Sequence, residues 1–523
     1  MKIKNALISV FNKSKIISLS QALVKKKINI LSTQGTRKIL KSKKIPCLKI
    51  SDFTKYKETL NGQIKTLHPK IYSGILHDPT LDSKIVKKEK ILSINLIIVN
   101  FYPFEEKNHT HLQKNIKNYT KYIDIGGPSL IRAAAKNYKN VIVVVDIQDY
   151  KYIVKKILNN EHFSYSERLK FAMKAFKYSA KYEKKIYEFF KKKYYIKNKI
   201  NVKKTFPQKI TITLKKKEKL IYGENPHQKS SIYVEENFQK KDEIFEKIQG
   251  KKLSYNNILD ANIALECVSQ FKKPTCVIIK HGNPCGASTK ENLLKAYKNA
   301  YKCDPNSAFG GVIACNKKIR SHVIKKIINN QFVEMIIAPN LSLNAKKIVN
   351  NKKKIRILIT NNKKINFFEK LEIRTINHQF LIQEKDYDNF NYKKWEIVSL
   401  KKPNKIEIKD AIFGWKISKF VKSNGIVYVH NKSTISIGCG QTSRILAVHN
   451  ANTKIQHNNR KLKHITMASD AFFPFKDNIQ EARKFHVSCI IQPGGSIRDK
   501  EIIQEVNKNK MSMIFTNIRH FKH

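Results

Sequence analysis

The chain has 523 residues, and its 103 Lys and Arg against 40 Asp and Glu give a formal net charge of +63. A hydrophobic fraction of 41% is enough to form packed cores, which excludes a wholly disordered basic tail. Only 17 Gly and 14 Pro exclude a collagen-like or linker-rich chain. At about 100–200 residues per domain, the length predicts roughly three or four domains' worth of chain.

The positive charge raises the hypothesis of a basic nucleic-acid-binding protein, because phosphate neutralisation drives such binding. The lysines are spread along the whole chain, however, without a zinc finger, a basic zipper or an RNA-binding aromatic pair. Lys, Ile, Asn, Tyr and Phe, all with codons rich in A and T, are abundant. A solvated basic surface that follows from compositional drift is therefore favoured, and no specific nucleic-acid partner is expected.

The eight cysteines contain no C-x-x-C pair, a pattern typical of reduced thiols in a cytoplasmic protein. The apolar run at residues 6–11 is too short for the core of a secretory signal. The longest apolar runs have the length of a strand, whereas a membrane span needs about 20 apolar residues. The sequence predicts a cytoplasmic location and no membrane association.

The first 200 residues alternate short β-branched runs with helical patterns. Strands are predicted at residues 6–10, 29–31, 96–100 and 141–145, and a helix at residues 15–27. Strands that alternate with helices indicate an α/β domain with a parallel sheet covered on both faces. Ligands of such a sheet bind at the carboxyl ends of its strands.

A charged stretch at residues 191–219, without strong periodicity, predicts a domain boundary. Beyond it, strands predicted at residues 275–280, 434–437 and 488–492 each end in a glycine-containing loop. Such repeated units suggest two related α/β halves, although their sequence similarity is too weak to prove a duplication.

Residues 124–137 combine an acid, two glycines, a proline and two cations. Pro128 is well placed as the first residue of a helix, whose N-terminus would present N–H groups to an anion. Arg132 and Lys136 lie one helical turn apart, so the segment suits a phosphorylated substrate. A capped helix with exposed basic residues is the alternative. The loops that favour the substrate interpretation are residues 33–36, 65–70 and 100–104.

Lys280 and His281 stand at the end of a predicted buried strand. A cation beside an imidazole offers charge stabilisation next to a general base that titrates near neutral pH. A core histidine is the alternative, but the turn predicted at residues 283–286 favours an exposed loop. Residues 472–477 add either an aromatic wall with a carboxylate, suited to a flat heterocycle, or a hydrophobic core turn.

Two tempting motifs are incomplete. Residues 281–285 are similar to the zinc deaminase signature, but Asn283 replaces the required Glu and the second Cys is missing, so no catalytic metal is expected. Gly438 and Gly440 begin a dinucleotide fingerprint, but Ser443 replaces its third glycine. The sequence contains no Walker loop, so ATP chemistry is not indicated.

Seven motifs stand in one order along the chain. They are KTLHPK (residues 65–70), NFYPF (100–104), IDIGGP (123–128), YGENPHQ (222–228), KHGNPCG (280–286), SDAFFPF (469–475) and QPGGSIRD (492–499). With these motifs the chain resembles the bifunctional purine-biosynthesis enzymes. In these enzymes the transformylase of aminoimidazolecarboxamide ribotide (AICAR) is fused to inosinate (IMP) cyclohydrolase, which acts on formyl-AICAR (FAICAR). The resemblance runs essentially end to end and finishes at residues 517–521.

The resemblance implies an α/β architecture with a methylglyoxal-synthase-like cyclohydrolase domain at residues 1–200. Residues 201–523 would form a transformylase region of two cytidine-deaminase-like units without zinc. It also implies a homodimer with transformylase sites at the subunit interface. The implied small-molecule partners are AICAR, FAICAR, IMP and the co-substrate 10-formyltetrahydrofolate.

In the implied transformylase reaction, a formyl group moves from the folate to the AICAR amine. His281 would take the amine proton, and Lys280 would stabilise charge on the formyl oxygen. The positions that match ribotide contacts are Tyr222, Gly310, Glu334, Asn424, Phe472, Arg519 and, from the partner subunit, Arg444. The positions that match folate contacts are Ile445, Asp477, Ser496 and Ile497.

In the implied cyclohydrolase reaction, FAICAR closes its second ring with loss of water to give IMP. Lys136 matches the proton-transfer residue, with Asp124, Tyr102 and Lys65 implied close by. The implied substrate-binding positions are Asn12, Lys13, Thr33, Gly35, Thr36, Thr66, Asn100, Phe101 and Ile125.

Five positions depart from the family pattern, and at one of them Asn12 stands where the family has Asp. Phe11, Gln34 and Gln63 fall in the cyclohydrolase region, and Ile221 replaces an Arg beside the transformylase motif. A lost Arg removes a bidentate phosphate donor, which costs about 1.5–3 kcal/mol. A transformylase with a weakened or decayed cyclohydrolase is therefore the alternative function.

Overall fold

The computed structural model describes most of the chain. The described residues are 3–57, 64–104, 119–197, 206–236, 238–361, 371–386, 392–457 and 462–523. The chain divides into two units, residues 1–204 and 205–523.

Within its described residues, the first unit holds one parallel sheet with the strand order β3-β2-β1-β4-β5. The strands are β1 (Asn5–Val10), β2 (Asn29–Ser32), β3 (Leu48–Lys49), β4 (Leu96–Asn100) and β5 (Ile142–Val144). The helices are α1 (Ile16–Lys25), α2 (Gln34–Ser42), α3 (Ile50–Thr54), α4 (Pro69–Leu76), α5 (Ser83–Lys88), α6 (Gly126–Lys136), α7 (Tyr150–Leu158) and α8 (Tyr165–Lys197). The four predicted strands and the predicted helix are confirmed to within two residues at each end.

The sheet of the first unit is buried on both faces. All residues of β4 and β5 are buried, and β1 is buried apart from one half-exposed residue. Apolar side chains from the strands and from α1, α6 and α8 form one core. Both faces of a parallel sheet are covered when helices connect its strands, which is why these strands appear as continuous apolar runs in the sequence.

The charged stretch at residues 191–219 has more regular structure than its sequence suggests. Helix α8 continues to Lys197, and residues 214–219 form a strand whose side chains are all exposed. Lysines on every side of an element leave no apolar stripe, so the periodicity that reveals most elements is absent here.

The second unit contains two six-stranded sheets and two hairpins within its described residues. Its strands are β6 (Leu214–Lys219), β7 (Ser231–Glu235), β8 (Phe245–Gln249), β9 (Thr275–Lys280), β10 (Asn283–Thr289), β11 (Val312–Cys315), β12 (Met335–Ala338), β13 (Arg356–Thr360), β14 (Leu371–Ile376), β15 (Gln379–Glu384), β16 (Glu396–Ile397), β17 (Ile426–Val429), β18 (Thr434–Gly438), β19 (Ile465–Ser469), β20 (Val487–Gln492) and β21 (Ser512–Phe515). Its helices are α9 (Tyr255–Ser269), α10 (Leu293–Cys303), α11 (Pro305–Ala308), α12 (Ser321–Asn330), α13 (Leu343–Asn350), α14 (Lys405–Ser418), α15 (Arg444–His457), α16 (Asp477–Lys484) and α17 (Asp499–Lys508).

The two six-stranded sheets have the same topology. Their orders are β10-β9-β11-β12-β13-β8 and β18-β17-β19-β20-β21-β16. In each sheet the second strand runs antiparallel to its two neighbours, and the next three strands run parallel. This shared topology supports the two related α/β halves that the sequence suggests.

The two sheets meet along their edge strands, β10 and β18. Ser288 and Ser433 form an antiparallel bridge, and their hydroxyls lie 2.7 Å apart. The N–H of Ala287 also donates to Thr434 Oγ1 at 2.9 Å. Because these edges run antiparallel, the amino ends of β11–β13 and the carboxyl ends of β19–β21 face the same side of the unit.

Candidate active sites

In the first unit, the loops after β1 and β4 are joined by a reciprocal pair of asparagines. The N–H of Asn12 donates to Asn100 Oδ1 at 2.7 Å, and Asn100 Nδ2 donates to the carbonyl of Asn12 at 3.1 Å. The N–H of Val10 donates to Thr36 Oγ1 at 3.3 Å, which ties the loop after β2 to the same edge. The structure therefore brings Asn12, Thr36 and Asn100 together at the carboxyl ends of three parallel strands.

Small polar groups surround the start of α2. Thr33 Oγ1 lies 3.5 Å from Thr36 Oγ1, and both residues are buried. Gly35 is exposed in the first turn of α2. Lys13 Nζ donates to the carbonyl of Phe11 at 3.0 Å. Of the positions that depart from the family pattern, Gln34 is the exposed first residue of α2. Gln63 lies outside the described residues.

Asp124 caps the start of α6. Its Oδ1 accepts a hydrogen bond from the N–H of Gly127 at 2.9 Å, and its own N–H donates to Tyr182 Oη at 2.8 Å. Burial raises the pKa of Tyr182 to about 12, so this phenol stays protonated. Helix α6 begins at Gly126, so Pro128 is its third residue and not its first. Proline is accommodated there because the first N–H groups of a helix have no intrahelical acceptor.

The glycines at the start of α6 allow other groups to approach closely. A Cβ atom on Gly126 would lie 2.6 Å from Thr66 Oγ1, and one on Gly127 would lie 2.7 Å from Asp124 Oδ2 and 2.8 Å from Phe101 Cδ1. Any larger residue would displace these groups. The helix start thus gathers Thr66, Asp124 and Phe101.

Three more of the implied cyclohydrolase residues are exposed beside this cluster. Tyr102, Ile125 and Lys65 are all exposed. The ring of Tyr102 stacks on the ring of Tyr122, with centroids 5.6 Å apart. The ring of Phe11 also contacts Tyr102, with centroids 4.3 Å apart.

Lys136 occupies the last turn of α6. Ten residues separate it from Gly126, which corresponds to about 15 Å along a helix axis. Its side chain is exposed. The sequence comparison implied that Lys136 lies close to Asp124, whereas the helix carries their backbones to opposite ends.

A cavity of about 900 Å³ opens beside the same edge of the sheet. The side chains of Lys13, Lys174, Lys177 and Lys181 line it against one acidic residue, Asp146. The excess of positive charge suits an anionic ligand.

In the second unit, β9 and β10 are joined by a two-residue turn. His281 has a φ of +51° and Gly282 a φ of +76°. Two successive positive φ values are typical of the tight turns that connect twisted hairpins. His281 is exposed, and Lys280 Nζ donates to the carbonyl of Phe309 at 2.7 Å. The exposed position predicted for His281 is confirmed.

The turn predicted at residues 283–286 is instead the start of β10. The pairing of β10 with β9 shifts register between Pro284 and Gly286, which marks a bulge. Proline has no N–H to donate to the ladder, so it is accommodated at this irregularity. The hairpin turn itself consists of the two residues before this strand.

Helix α9 connects three of the implied transformylase positions. The N–H of its first residue donates to the carbonyl of Tyr222 at 3.3 Å. Two residues later, Asn257 Nδ2 donates to Glu334 Oε1 at 3.4 Å, and in the second turn Asp260 Oδ1 accepts the N–H of Gly282 at 2.8 Å. The first two turns of the helix thereby contact Tyr222, Glu334 and the hairpin turn.

Hydrogen bonds with neighbouring segments fix the positions of Glu334 and Gly310. The buried Arg356 donates from Nη1 to Glu334 Oε1 at 2.5 Å and from Nε to the carbonyl of Lys252 at 3.1 Å. Gly310, with a φ of +74°, donates its N–H to the carbonyl of Phe332 at 2.8 Å.

A buried polar cluster forms at the facing edge of the second sheet. Arg444 Nη1 donates to Asp470 Oδ1 at 2.5 Å and to Ser469 Oγ at 2.8 Å, and Arg444 Nη2 donates to Asn424 Oδ1 at 2.7 Å. The side chains of Arg444 and Asp470 are only 4% and 0% exposed. Arg444, implied to contact the ribotide from the partner subunit, is thus fully engaged within its own chain here.

Two hydrogen bonds through Lys422 connect the hairpin turn of His281 with the polar cluster around Arg444. The N–H of Lys422 donates to Asn283 Oδ1 at 2.8 Å, and the N–H of Gly440 donates to the carbonyl of Lys422 at 2.9 Å. The hairpin turn that carries His281 therefore lies beside the segment that leads to Asn424. One composite site contains both.

The remaining implied ligand positions stand at the carboxyl ends of β18–β21. Ile445 lies in the first turn of α15, Asp477 begins α16, and Ser496 and Ile497 lie in the loop after β20. Arg519 follows β21 and is exposed.

The aromatic motif at residues 472–475 divides between surface and core. Phe472 and Phe475 are exposed, whereas Phe473 is fully buried. The guanidinium of Arg498 lies 4.8 Å from the ring centroid of Phe475. Both interpretations of the motif are therefore partly right, since it supplies a surface wall and a core anchor.

Sequence reasoning missed three residues that hold this site together, namely Asp260, Arg356 and Lys422. Each lies outside the motifs, and their contacts join elements far apart in the chain. An acid within a helix or a lysine in a lysine-rich chain carries no local signal of such a role.

Three further features bear on disulfide bonds, metal binding and membrane-spanning helices. All eight cysteines are free thiols. Among the described residues, no three His, Cys, Asp or Glu side chains are grouped as a metal ion would require. No helix in the described ranges is both long and apolar enough to cross a membrane.

Comparisons with known proteins cover the whole chain. The family model "AICARFT/IMPCHase bienzyme" matches residues 134–454, and the MGS-like domain model matches residues 15–129. The "Bifunctional purine biosynthesis protein PurH" of Buchnera aphidicola subsp. Schizaphis graminum is 50% identical over 525 residues, which cover 100% of this chain and 99% of that protein. The proteins of the same name from Buchnera aphidicola subsp. Acyrthosiphon pisum (strain Tuc7) and Wigglesworthia glossinidia brevipalpis are 48% and 45% identical, with the same coverage.

Among solved structures, the crystal structure of ForH is 28% identical and covers 36% of this chain and 100% of its own, with a TM-score of 0.33 that supports no structural argument. The sequence relatives are decisive, because their identity extends over full length and both family models match in the expected order. The chain belongs to the AICARFT/IMPCHase bienzyme family, the family of the bifunctional purine biosynthesis proteins.

Proposed function

We propose that the protein catalyses the last two steps of IMP synthesis. It transfers a formyl group from 10-formyltetrahydrofolate to AICAR, giving FAICAR, and then closes FAICAR to IMP with loss of water. The observation that carries the proposal is the composite site of the second unit, where the Lys280–His281 turn adjoins the cluster around Asn424. Full-length relatives named as bifunctional purine biosynthesis proteins support the same pair of activities.

Formyl transfer requires a base, a charge stabiliser and a site for two substrates. His281 is exposed at the turn and accepts the proton that the AICAR amine loses as its nitrogen bonds to the formyl carbon. Lys280 lies beside it and stabilises the charge that develops on the formyl oxygen. The proton then goes to the folate nitrogen as its bond to the formyl carbon breaks.

The folate would lie along the carboxyl ends of β18–β20. Exposed apolar surface from Phe475 and Ile497, with the carboxylate of Asp477, suits a flat and partly polar heterocycle. The ribotide would contact Phe472 and Arg519 and, on the facing edge, Tyr222 and Gly310. Glu334 and Asn424 are further proposed contacts of the ribotide, and Ile445 and Ser496 are further proposed contacts of the folate.

Cyclisation is assigned to residues 1–200, at the edge that gathers Asp124, Thr66 and Asn100. The N-terminus of α6 and the lysine-lined cavity both favour a phosphorylated ligand there. Lys136 is proposed as the proton-transfer residue, with Tyr102 and Lys65 near the substrate.

Lys136→Ala is expected to lower the rate of cyclisation about 100-fold or more when FAICAR is supplied directly, because the proton-transfer group is lost. Formyl transfer should be unchanged in the same preparation. Lys139→Ala is the matched control, since it removes an exposed lysine three residues further along the chain. A normal cyclisation rate in Lys136→Ala would reject its role, a pertinent test given its place at the far end of α6.

A transformylase with a weakened cyclohydrolase is the second candidate. Its support is Phe11, which departs from the family pattern and packs its ring 4.3 Å from the ring of Tyr102. Incubation with AICAR and 10-formyltetrahydrofolate distinguishes the two functions. The bifunctional enzyme yields tetrahydrofolate and IMP, whereas the second candidate accumulates FAICAR.

Further properties are proposed from the family. The protein is a homodimer, acts in the cytoplasm, uses folate as co-substrate and needs no metal. Light scattering tests the dimer by asking whether the mass in solution is twice the chain mass of 60.8 kDa. Both activities measured after treatment with a chelator test the metal statement.

A further inference from the structure

Asp260 lies directly beneath the turn that presents His281. Its Oδ1 accepts the N–H of Gly282 at 2.8 Å. The side chain projects from the second turn of α9, so a rigid element delivers it. The carboxylate therefore holds the second residue of the two-residue turn.

The turn needs such support because His281 adopts a left-handed backbone conformation, with a φ of +51°. L-residues with a Cβ atom are disfavoured there, and His is not among the usual choices for the first position of this turn. A strained residue persists when its surroundings over-determine its conformation. The hydrogen bond from the Gly282 N–H to Asp260 contributes to that constraint.

The charged groups near Asp260 come from two segments. The hairpin contributes His281, and the segment before β17 contributes Lys422, whose Cε lies 3.8 Å from the position of a Cβ on Gly282. Burial raises the pKa of the Asp260 carboxyl, and the Gly282 N–H, His281 and Lys422 oppose that rise only in part. Burial therefore disfavours the ionised carboxylate in the folded protein, and these neighbours favour it.

We propose that Asp260 is the positioning residue of the formyl-transfer site. It fixes the orientation of His281 through the turn, and its negative charge stabilises the imidazolium that forms when His281 accepts the amine proton. This inference rests on the proposed role of His281 as the general base.

Asp260→Asn tests the charge, because asparagine keeps an oxygen that can accept the N–H of Gly282. We expect kcat for formyl transfer to fall about 10- to 100-fold, with KM for AICAR changed less than about threefold. The acid limb of the kcat pH profile should move to lower pH, because the imidazolium loses its counter-charge. Glu266→Gln, the same change at the other end of α9, is the matched control and should leave both unchanged.

The stability of the variant separates this role from a structural one. A raised carboxyl pKa means that the folded state binds the proton more tightly than the unfolded chain, so stability falls as pH rises through the shifted pKa. Near neutral pH, the Asp260→Asn variant should therefore unfold at a temperature no lower than that of the wild type, although its formyl transfer is slower.

A double-mutant cycle completes the test. In a His281→Ala background, Asp260→Asn should leave the residual formyl-transfer rate nearly unchanged, because the group through which it acts is gone. An unchanged kcat and pH profile in the single variant, or an equal loss in both backgrounds, would overturn the inference. A wild-type protein that does not consume 10-formyltetrahydrofolate would overturn the proposed function itself, and the inference with it.

Discussion

His281→Ala is expected to lower the rate of formyl transfer by about 100- to 10,000-fold, which is the usual contribution of a general base. Cyclisation of supplied FAICAR should continue at the wild-type rate, because that reaction is assigned to the first unit. The measurement is two separate assays on one preparation, with tetrahydrofolate formation followed in the first and IMP formation in the second.

Two variants sharpen this experiment. His281→Asn removes the base but suits the left-handed backbone better than alanine, so equal losses in the two variants locate the effect in the imidazole. His464→Ala is the matched control, since His464 is also exposed and has a φ of +61°. If both activities fall together in a folded His281 variant, the assignment of two separate sites is wrong.

Arg444→Ala is expected to destabilise the second unit by about 3–5 kcal/mol. The change removes the guanidinium and leaves the carboxylate of Asp470, which is fully buried, without its charged partner. An uncompensated buried charge costs more than the loss of an equivalent surface pair. Urea unfolding, followed by the transition of the second unit, measures the loss.

The control for this prediction is Arg374→Ala. Arg374 pairs with Glu372 at 3.2 Å, but both side chains are more than a third exposed, so we expect a change of at most about 1 kcal/mol. A double replacement of Arg444 and Asp470 by apolar residues should recover part of the loss. A cost below about 1 kcal/mol for Arg444→Ala would contradict the importance of this buried pair.

The sequence by itself determined the local elements of this protein and its family. Strands such as β4 and β9 were predicted because buried parallel and central strands leave continuous β-branched runs in the sequence. The glycine-containing loops at their ends marked many of the candidate site residues, including His281 and the start of α6. Where lysines surround an element, as at the end of α8, the same method found no structure because no apolar contrast remained.

Only the tertiary structure decided how these pieces combine. The antiparallel contact of β10 with β18 turns opposite edges of two equivalent sheets to one side, and so places the proposed formyl-transfer residues of both halves on the same side of the unit. It also revealed Asp260 beneath the turn, Arg444 within a buried pair and Lys136 at the far end of α6. Hydrophobic periodicity reports which faces of an element are buried, whereas these arrangements depend on hydrogen bonds and edge pairings between residues from about 20 to about 150 positions apart, for which no local pattern exists.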